Sequence, residues 1–209
     1  MTPEAAVASF VAALFSMMNP IGNTGVFAGM TRGRSRAESR QTARTCALAV
    51  AVTLVVVTWA GPLLLRFFGV TVDTLRAAGG IVVLLIGLQM LFNKSEHQHT
   101  SDELEDAAHR PSIAVVPLAI PIVAGPGTMA TVLVAVEQYQ SLLSKVVIST
   151  VGVALAALTG VLFWFAGPIS NRLGDSGMGV VTRVMGLVLA AIAMGMLAEG
   201  LKALLPGLA

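Results

Sequence analysis

The residues best suited to chemistry in this 209-residue chain lie in two polar stretches that interrupt apolar segments. Residues 19–25 read Asn-Pro-Ile-Gly-Asn-Thr-Gly, and residues 124–128 read Ala-Gly-Pro-Gly-Thr. Proline lacks a backbone N–H and glycine permits sharp turns, so each stretch is predicted to break a helix. A helix that restarts inside a membrane presents free N–H groups and a partial positive charge, which together favour anion binding.

The restarting helices are expected to begin near Asn23-Thr24 and near Thr128, because Asn and Thr side chains suit N-cap positions. The glycines of both stretches remove side-chain bulk, so a small ligand could lie directly against the backbone. The predicted substrate-binding residues are Asn19, Pro20, Gly22, Asn23, Thr24, Gly125, Pro126, Gly127 and Thr128.

The ligand class follows from the charges that the apolar segments lack. Charged residues of the predicted spans lie only near their ends, at Arg66, Arg76, Arg183 and Glu199, and the middle of each span has no Asp, Glu, Lys, Arg or His. Because ionisable residues inside a membrane usually mark ion paths or proton relays, a strongly charged ligand is disfavoured. A small zwitterionic or neutral solute fits better, since helix N–H groups can bind its carboxylate while free carbonyls, with Asn19 or Asn23, bind its ammonium group.

Enzymatic function finds no support in the motifs. The sequence contains no G-x-S-x-G and no H-E-x-x-H, and no acid pair or Ser/His pair lies within a span. We therefore predict neither an enzyme nor a cofactor. The histidines of residues 93–110 are His97, His99 and His109, and they lack a second ligand pair at zinc-like spacing, so this stretch is interpreted as a linker and not as a metal site.

Composition places the whole chain in a lipid bilayer. Hydrophobic residues make up 56% and charged residues 11%, against about 25% charge in an ordinary soluble domain. The basic residues cluster near span ends without interleaved aromatics, which argues against nucleic-acid binding. We predict an all-α polytopic membrane protein with six transmembrane helices, the first and fourth of them broken. The predicted spans are residues 5–30, 46–68, 75–92, 112–136, 146–169 and 180–201.

The two halves of the chain resemble one another. Pro20 and Pro62 are 42 residues apart, as are Pro126 and Pro168. This predicts one three-helix repeat in residues 1–92, a polar cytoplasmic linker in 93–110 and a second three-helix repeat in 111–209. Because each half contains an odd number of spans, the second half must enter the membrane in the opposite sense. The repeats are therefore predicted to have inverted topology.

Orientation is predicted from the basic residues. Five arginines lie between residues 32 and 44, and placing them in the cytoplasm puts nine of the thirteen Lys and Arg residues on that side. Both termini are then expected outside. The N-terminus lacks the basic region of a secretory signal, so the first apolar segment is expected to be retained as a span. The single cysteine, Cys46, has no intrachain partner and is interpreted as a packing residue.

Residues 18–23 and 121–128 closely resemble the paired signatures of the MarC family of bacterial and archaeal inner-membrane proteins. The resemblance covers nearly the whole chain. It implies membership of the LysE-type transporter superfamily and a location in the inner membrane. It also implies transport, since some relatives carry small neutral amino acids such as glycine and alanine.

The leading interpretation is a secondary transporter that moves such amino acids by alternating access, with the two halves rocking about the broken helices. Two alternatives remain: a channel-like leak for small neutral solutes, and a non-transporting membrane component associated with stress or antibiotic resistance. The exact substrate, the direction of transport, the coupling ion and the presence of a homo-oligomer are left open.

Overall fold

The computed structural model describes residues 2–31, 33–92, 113–205 and 207, and the regular secondary structure in these ranges is entirely helical. The predicted linker with its three histidines lies outside the described residues. The helices are α1 (Pro3–Met18), α2 (Pro20–Met30), α3 (Arg36–Phe68), α4 (Val72–Phe92), α5 (Ala114–Val123), α6 (Pro126–Gln138), α7 (Leu142–Trp164) and α8 (Ala166–Leu204).

Five segments within the described ranges are long and apolar enough to cross a bilayer. These candidate spans are Glu4–Met30, Arg36–Phe68, Val72–Phe92, Leu142–Trp164 and Gly179–Leu204. The predicted fourth span, residues 112–136, is divided between α5 with 10 residues and α6 with 13. Each of these two helices is shorter than the roughly 20 residues that a crossing requires.

Helix α5 is irregular for a reason that its sequence contains. Val116 and Ile120 both have extended backbone angles, near φ −128° and ψ 120°, and each precedes a proline. Proline clashes with a helical conformation of the residue before it and also removes one helical donor. In the remaining hydrogen bonds the N–H of one residue donates to the carbonyl of the residue five positions earlier. An example is the 2.8 Å bond from the N–H of Ala124 to the carbonyl of Ala119. The prediction that this stretch cannot be one regular helix is confirmed.

The start of α3 corrects the sequence-based boundaries. The helix begins at Arg36, ten residues before the predicted start of the second span, so three of the five clustered arginines, Arg36, Arg40 and Arg44, are helical. Ser35 caps it reciprocally: the N–H of Glu38 donates to Ser35 Oγ (3.2 Å), and the N–H of Ser35 donates to Glu38 Oε2 (2.8 Å). Hydropathy alone missed this start because the first turns are polar, although Ser-x-x-Glu is a capping-box pattern.

The predicted end of the second span, at Phe68, is confirmed, whereas the fifth span ends five residues before the predicted residue 169. Helix α3 continues through Pro62 and ends at Phe68, and Gly69 follows as its cap in the left-handed conformation at φ 66°. Helix α7 ends at Trp164, and Pro168 lies in the first turn of α8, where proline costs little because the N–H lacks a helical acceptor. Helix α8 then bends at Gly174, whose φ is 63°.

Helices α3 and α7 form one antiparallel pair. A Cβ atom added to Gly152 would lie 3.4 Å from the side chain of Leu54, and one added to Gly160 would lie 2.7 Å from Ala47 Cβ. The contacts move backward along α3 as they advance along α7. Since lipid supplies no hydrophobic drive between helices, small residues at such crossings increase attraction by close packing.

Helices α4 and α8 form a second antiparallel pair with still closer backbones. A Cβ atom at Gly87 would lie 2.8 Å from the carbonyl oxygen of Gly186, and one at Gly80 would lie 3.0 Å from that of Ala193. No larger residue fits either position without moving a backbone. The glycines at these two positions therefore serve close helix packing.

The interior and the outer surface of the helices are both apolar. Phe27 and Phe163 are fully buried and stack with ring centroids 4.6 Å apart. On the outside, Leu48, Leu63 and Phe67 are 67%, 72% and 80% exposed. An apolar surface of this extent fits contact with lipid chains and not with water.

Candidate functional site

The first break in the helices centres on Asn19. This residue has φ 44° and ψ 53°, a left-handed conformation that asparagine tolerates better than most residues. It ends α1 and caps α2, because its Oδ1 accepts a 3.2 Å hydrogen bond from the N–H of Gly22. Pro20 occupies the first helical position, where its missing N–H costs nothing. The first break is therefore capped by its own residues.

Two further side chains of the first break also bond to nearby backbone. Asn23 Nδ2 donates to the carbonyl of Met18 (2.9 Å), and Thr24 Oγ1 donates to that of Pro20 (2.9 Å). These bonds satisfy carbonyls near the point where the helix is interrupted. The predicted restart near Asn23-Thr24 is wrong, because α2 begins at Pro20 and both residues lie in its first two turns.

The second break lies between α5 and α6. Ala124 leaves the helical conformation, Gly125 is extended at φ −78° and ψ 179°, and α6 restarts at Pro126. The predicted restart near Thr128 was two residues late. Gly125 occupies the N-cap position without a capping side chain, and no side chain in the described ranges accepts a bond from the first N–H groups of α6. Both Gly127 and Thr128, in that first turn, are buried.

The two breaks share one hydrogen-bond pattern. Thr128 Oγ1 donates to the carbonyl of Val123 (2.9 Å), as Asn23 Nδ2 donates to that of Met18. Each side chain thus reaches back five residues to the residue before the interruption. The two donors, Asn23 and Thr128, are 105 positions apart in the sequence. The two acceptors, Met18 and Val123, have the same separation. The sequence pairing of Asn23 with Thr128 therefore corresponds to a common structural role.

The fold brings the two breaks together. A Cβ atom at Gly127 would lie 3.4 Å from Met17 Sδ and would collide with Val83 Cγ2. Met17 comes two residues before Asn19, so α1 next to its break contacts the first turn of α6. Met17 and Val83 also belong to a buried cluster with Leu189 and Ala193 of α8. Asn19, Gly125 and Gly127 are therefore buried in protein, whereas Pro126 at the start of α6 is exposed.

Helix α4 contacts both breaks. Its Val83 packs against Gly127, and its Met90 accepts a 3.6 Å bond at Sδ from Asn19 Nδ2. Thioether sulfur is a weak acceptor, so the buried Asn19 amide retains donor capacity for a stronger acceptor. Met17, Val83 and Met90 were not predicted as site residues, because methionine and valine in an apolar span carry no local sign of a site.

The predicted glycines differ in their surroundings. A Cβ atom at Gly22 would lie 2.6 to 2.9 Å from the side chain of Asn19, whereas Gly127 faces Val83 of another helix. Gly25 lies within α2 and is partly exposed, and Gly125 is buried at the second break. Absence of a side chain thus serves close packing at Gly22 and Gly127.

Charged side chains lie far from the breaks along the described helices. Within those helices, ion pairs are formed by Arg76 with Asp73 (3.3 Å) and with Glu199 (3.7 Å), at the start of α4 and near the end of α8. No group of acidic, histidine or cysteine residues that could hold a metal occurs in the described ranges. The arrangement offers peptide and amide groups as its means of binding a ligand.

A family model described as "MarC family integral membrane protein" matches residues 5–205. The UPF0056 membrane protein YhcE of Escherichia coli is 37% identical over 201 residues, covering 95% of this chain and 93% of its own. YvbG of Bacillus subtilis is 36% identical over 196 residues, covering 92% of each chain. The archaeal MJ1677 of Methanocaldococcus jannaschii is 31% identical over 189 residues, covering 90% of this chain and 92% of its own. No solved structure gives a significant match.

Proposed function

The chain belongs to the MarC family of integral membrane proteins, and on that premise we propose that it is a secondary transporter of small neutral amino acids. Substrate is held at the two helix breaks, and the two halves of the chain rock about it in the inner membrane. Glycine and alanine are the preferred substrates. The observation that carries this proposal is the meeting of two interrupted helices, at Met17 and Gly127, among apolar side chains of the described helices.

The second break supplies the carboxylate site of the proposed transporter. The start of α6 carries a partial positive charge, and its first N–H groups have no side-chain acceptor among the described residues. Hydrogen bonds from neutral N–H groups to a carboxylate are stronger than those to a neutral acceptor. Half-helix N-termini bind substrate carboxylates in this way in transporters built from inverted repeats.

The first break supplies a second polar contact. The Nδ2 group of Asn19 is buried and bonded only weakly, to Met90, so it can turn its donor toward the same carboxylate. The irregular α5 supplies carbonyl oxygens for the ammonium group, because its prolines and extended residues interrupt the regular helical pattern. A zwitterion then balances its own charges, and no ionisable side chain is required at the site.

Alternating access requires two similar halves, and contacts of α3 with α7 support an inverted repeat. Arg40 lies over the Trp164 ring at 4.7 Å, and Lys145 lies over the Trp59 ring at 5.9 Å. Arg40 and Lys145 are 105 positions apart, as are Trp59 and Trp164. Such exchange of equivalent partners is expected for two units related by a twofold axis.

Counterflow in proteoliposomes tests the proposal. Vesicles loaded with unlabelled glycine should transiently accumulate labelled glycine, and external alanine should compete. Glycinamide, which has a neutral amide in place of the carboxylate, should compete far more weakly, because its carbonyl forms weaker hydrogen bonds with the N–H groups of α6.

Failure of folded protein to exceed empty vesicles would overturn the proposal. Linear flux without saturation or counterflow would instead indicate a channel. Equal competition by glycinamide and alanine would show that transport does not use the carboxylate site assigned to the start of α6.

A further inference from the structure

A groove on the outer surface of the α3–α7 pair lies apart from the helix breaks. Its volume is about 400 Å³. Its walls are Arg44 and Ala47 of α3 together with Ala157, Gly160, Val161 and Trp164 of α7. The groove therefore combines one guanidinium and one indole ring with an apolar floor.

Two arginines lie against the Trp164 ring, and one of them, Arg44, is also part of the groove wall. The guanidinium carbons of Arg40 and Arg44 lie 4.7 and 4.6 Å from the centre of the Trp164 ring. A guanidinium stacked on an aromatic ring retains its in-plane N–H groups for a bidentate acceptor such as phosphate. Neither arginine forms an ion pair within the described helices, where Arg76 alone does so. Both arginines are exposed and available to an anion.

The sequence of α3 places these cations at a membrane surface. Residues 45–65 contain no charged side chain, and Arg44 and Arg66 bound this stretch. A helix of 21 residues spans about 31 Å, close to the roughly 30 Å of a hydrocarbon core. Arg44 therefore lies at headgroup depth with Arg40 one turn further out. Trp164 lies at the same level, where tryptophan is commonly enriched.

We propose that this groove is a binding site for one anionic phospholipid. Arg40 and Arg44 hold the phosphate, the Trp164 ring orients both guanidinium groups, and an acyl chain follows the apolar walls. The exposed side chains of Leu48 and Val161 extend that apolar path along the two helices. A free phosphate ion would satisfy the arginines but would leave the apolar groove unused, so the combination favours a lipid.

Tryptophan quenching can test the site because the chain has two tryptophans. In a Trp59→Phe background, Trp164 reports on its own groove. Quenching by phosphatidylglycerol with brominated acyl chains should occur at roughly twentyfold lower mole fraction than quenching by brominated phosphatidylcholine. Arg40→Gln and Arg44→Gln should each reduce this preference about fivefold, given about 1 kcal/mol per basic residue near an anionic surface.

Arg36→Gln is the matched control, because it removes one exposed charge from the same helix without contact to Trp164 in the cation–π pairs. It should change the preference less than twofold. Arg44→Lys should retain more of the preference for phosphatidylglycerol than Arg44→Gln does. Because both substitutions remove the same guanidinium group and only lysine keeps the charge, this difference separates loss of binding from misfolding. Equal effects of the Arg36 and Arg44 substitutions would overturn the site in favour of general surface charge.

Soluble glycerophosphoglycerol and inorganic phosphate, added at constant ionic strength, distinguish the lipid from a free anion. Neither should relieve quenching by the brominated phosphatidylglycerol. Displacement by either compound, or equal quenching by the two brominated lipids, would overturn the proposal.

Discussion

The two helix breaks solve the same backbone problem with different residues. At the first, Asn19 accepts a left-handed conformation and caps α2 with its own side chain. At the second, Gly125 stays extended and provides no capping side chain for α6. Each break then bonds one side chain, Asn23 or Thr128, to the carbonyl five residues earlier. At both breaks a side chain donates a hydrogen bond to the carbonyl before the interruption. Over the part of the chain that the structure describes, only the first break also has a side chain that accepts a bond from the N–H groups of the next helix.

This difference separates a structural role from a binding role. A capped helix start has little need of a ligand, whereas an uncapped start buried in protein gains most from an external acceptor. The first break therefore fixes the path of the chain, with its Asn19 amide as a secondary contact. The second break provides the main anion-binding group of the proposed transporter.

Substituting Gly125→Ser should have the largest effect on transport. A serine at this N-cap would accept a bond from the first-turn N–H groups and so compete with the substrate carboxylate. Loss of one charge-assisted bond of about 2 kcal/mol corresponds to roughly thirtyfold weaker apparent affinity in counterflow. Thermal stability should be unchanged or higher, because the helix gains a cap.

Gly195→Ser is the control for that substitution, since a side chain at Gly195 meets no atom within 4 Å. It should leave the apparent affinity unchanged. An unchanged affinity in Gly125→Ser would show that substrate does not use the start of α6.

Alanine at the two first-turn glycines should affect stability unequally. Gly127→Ala forces a methyl group against Val83 of α4, and overpacking of this kind costs about 1 to 3 kcal/mol. Gly22→Ala meets only the side chain of Asn19, which can rotate away, so its cost should be about 1 kcal/mol. Unfolding of the purified variants, followed by circular dichroism, measures the difference.

The double substitution Gly127→Ala with Val83→Ala should lower the free energy of unfolding by less than the sum of the two single substitutions. The methyl groups removed from Val83 make room for the new one at residue 127. A purely additive result would contradict the contact between these helices.

Effects as small as that of Gly22→Ala should come from the paired carbonyl contacts. Asn23→Leu removes a partly buried bond and Thr128→Val a buried bond to a carbonyl beside a break, each at a cost of about 1 kcal/mol. Thr159→Val is the control, since its bond goes to the carbonyl of Leu155 inside the regular helix α7. That substitution should be nearly neutral in the same unfolding measurement. A neutral result at only one of the two breaks would contradict their equivalence.

Much of the local structure followed from residue chemistry. Proline and glycine located both interruptions, and Pro117 and Pro121 predicted the irregular α5. Helix starts were less accurate, because Asn19 and not Asn23 is the cap. Polar helix turns, such as those beginning at Arg36, were missed since hydropathy reports burial in lipid and not hydrogen bonding.

The sequence by itself determined a helical membrane protein with two interruptions, because composition and the backbone limits of proline act locally. Only the tertiary structure decided that Met17 and Gly127 meet, that Val83 fills the space beside Gly127, and that Asn19 caps α2. These contacts depend on which helix faces join and on which donors find acceptors. Neither is encoded in the spacing of residues along one helix, since packing in lipid is decided by close shape matching between separate segments.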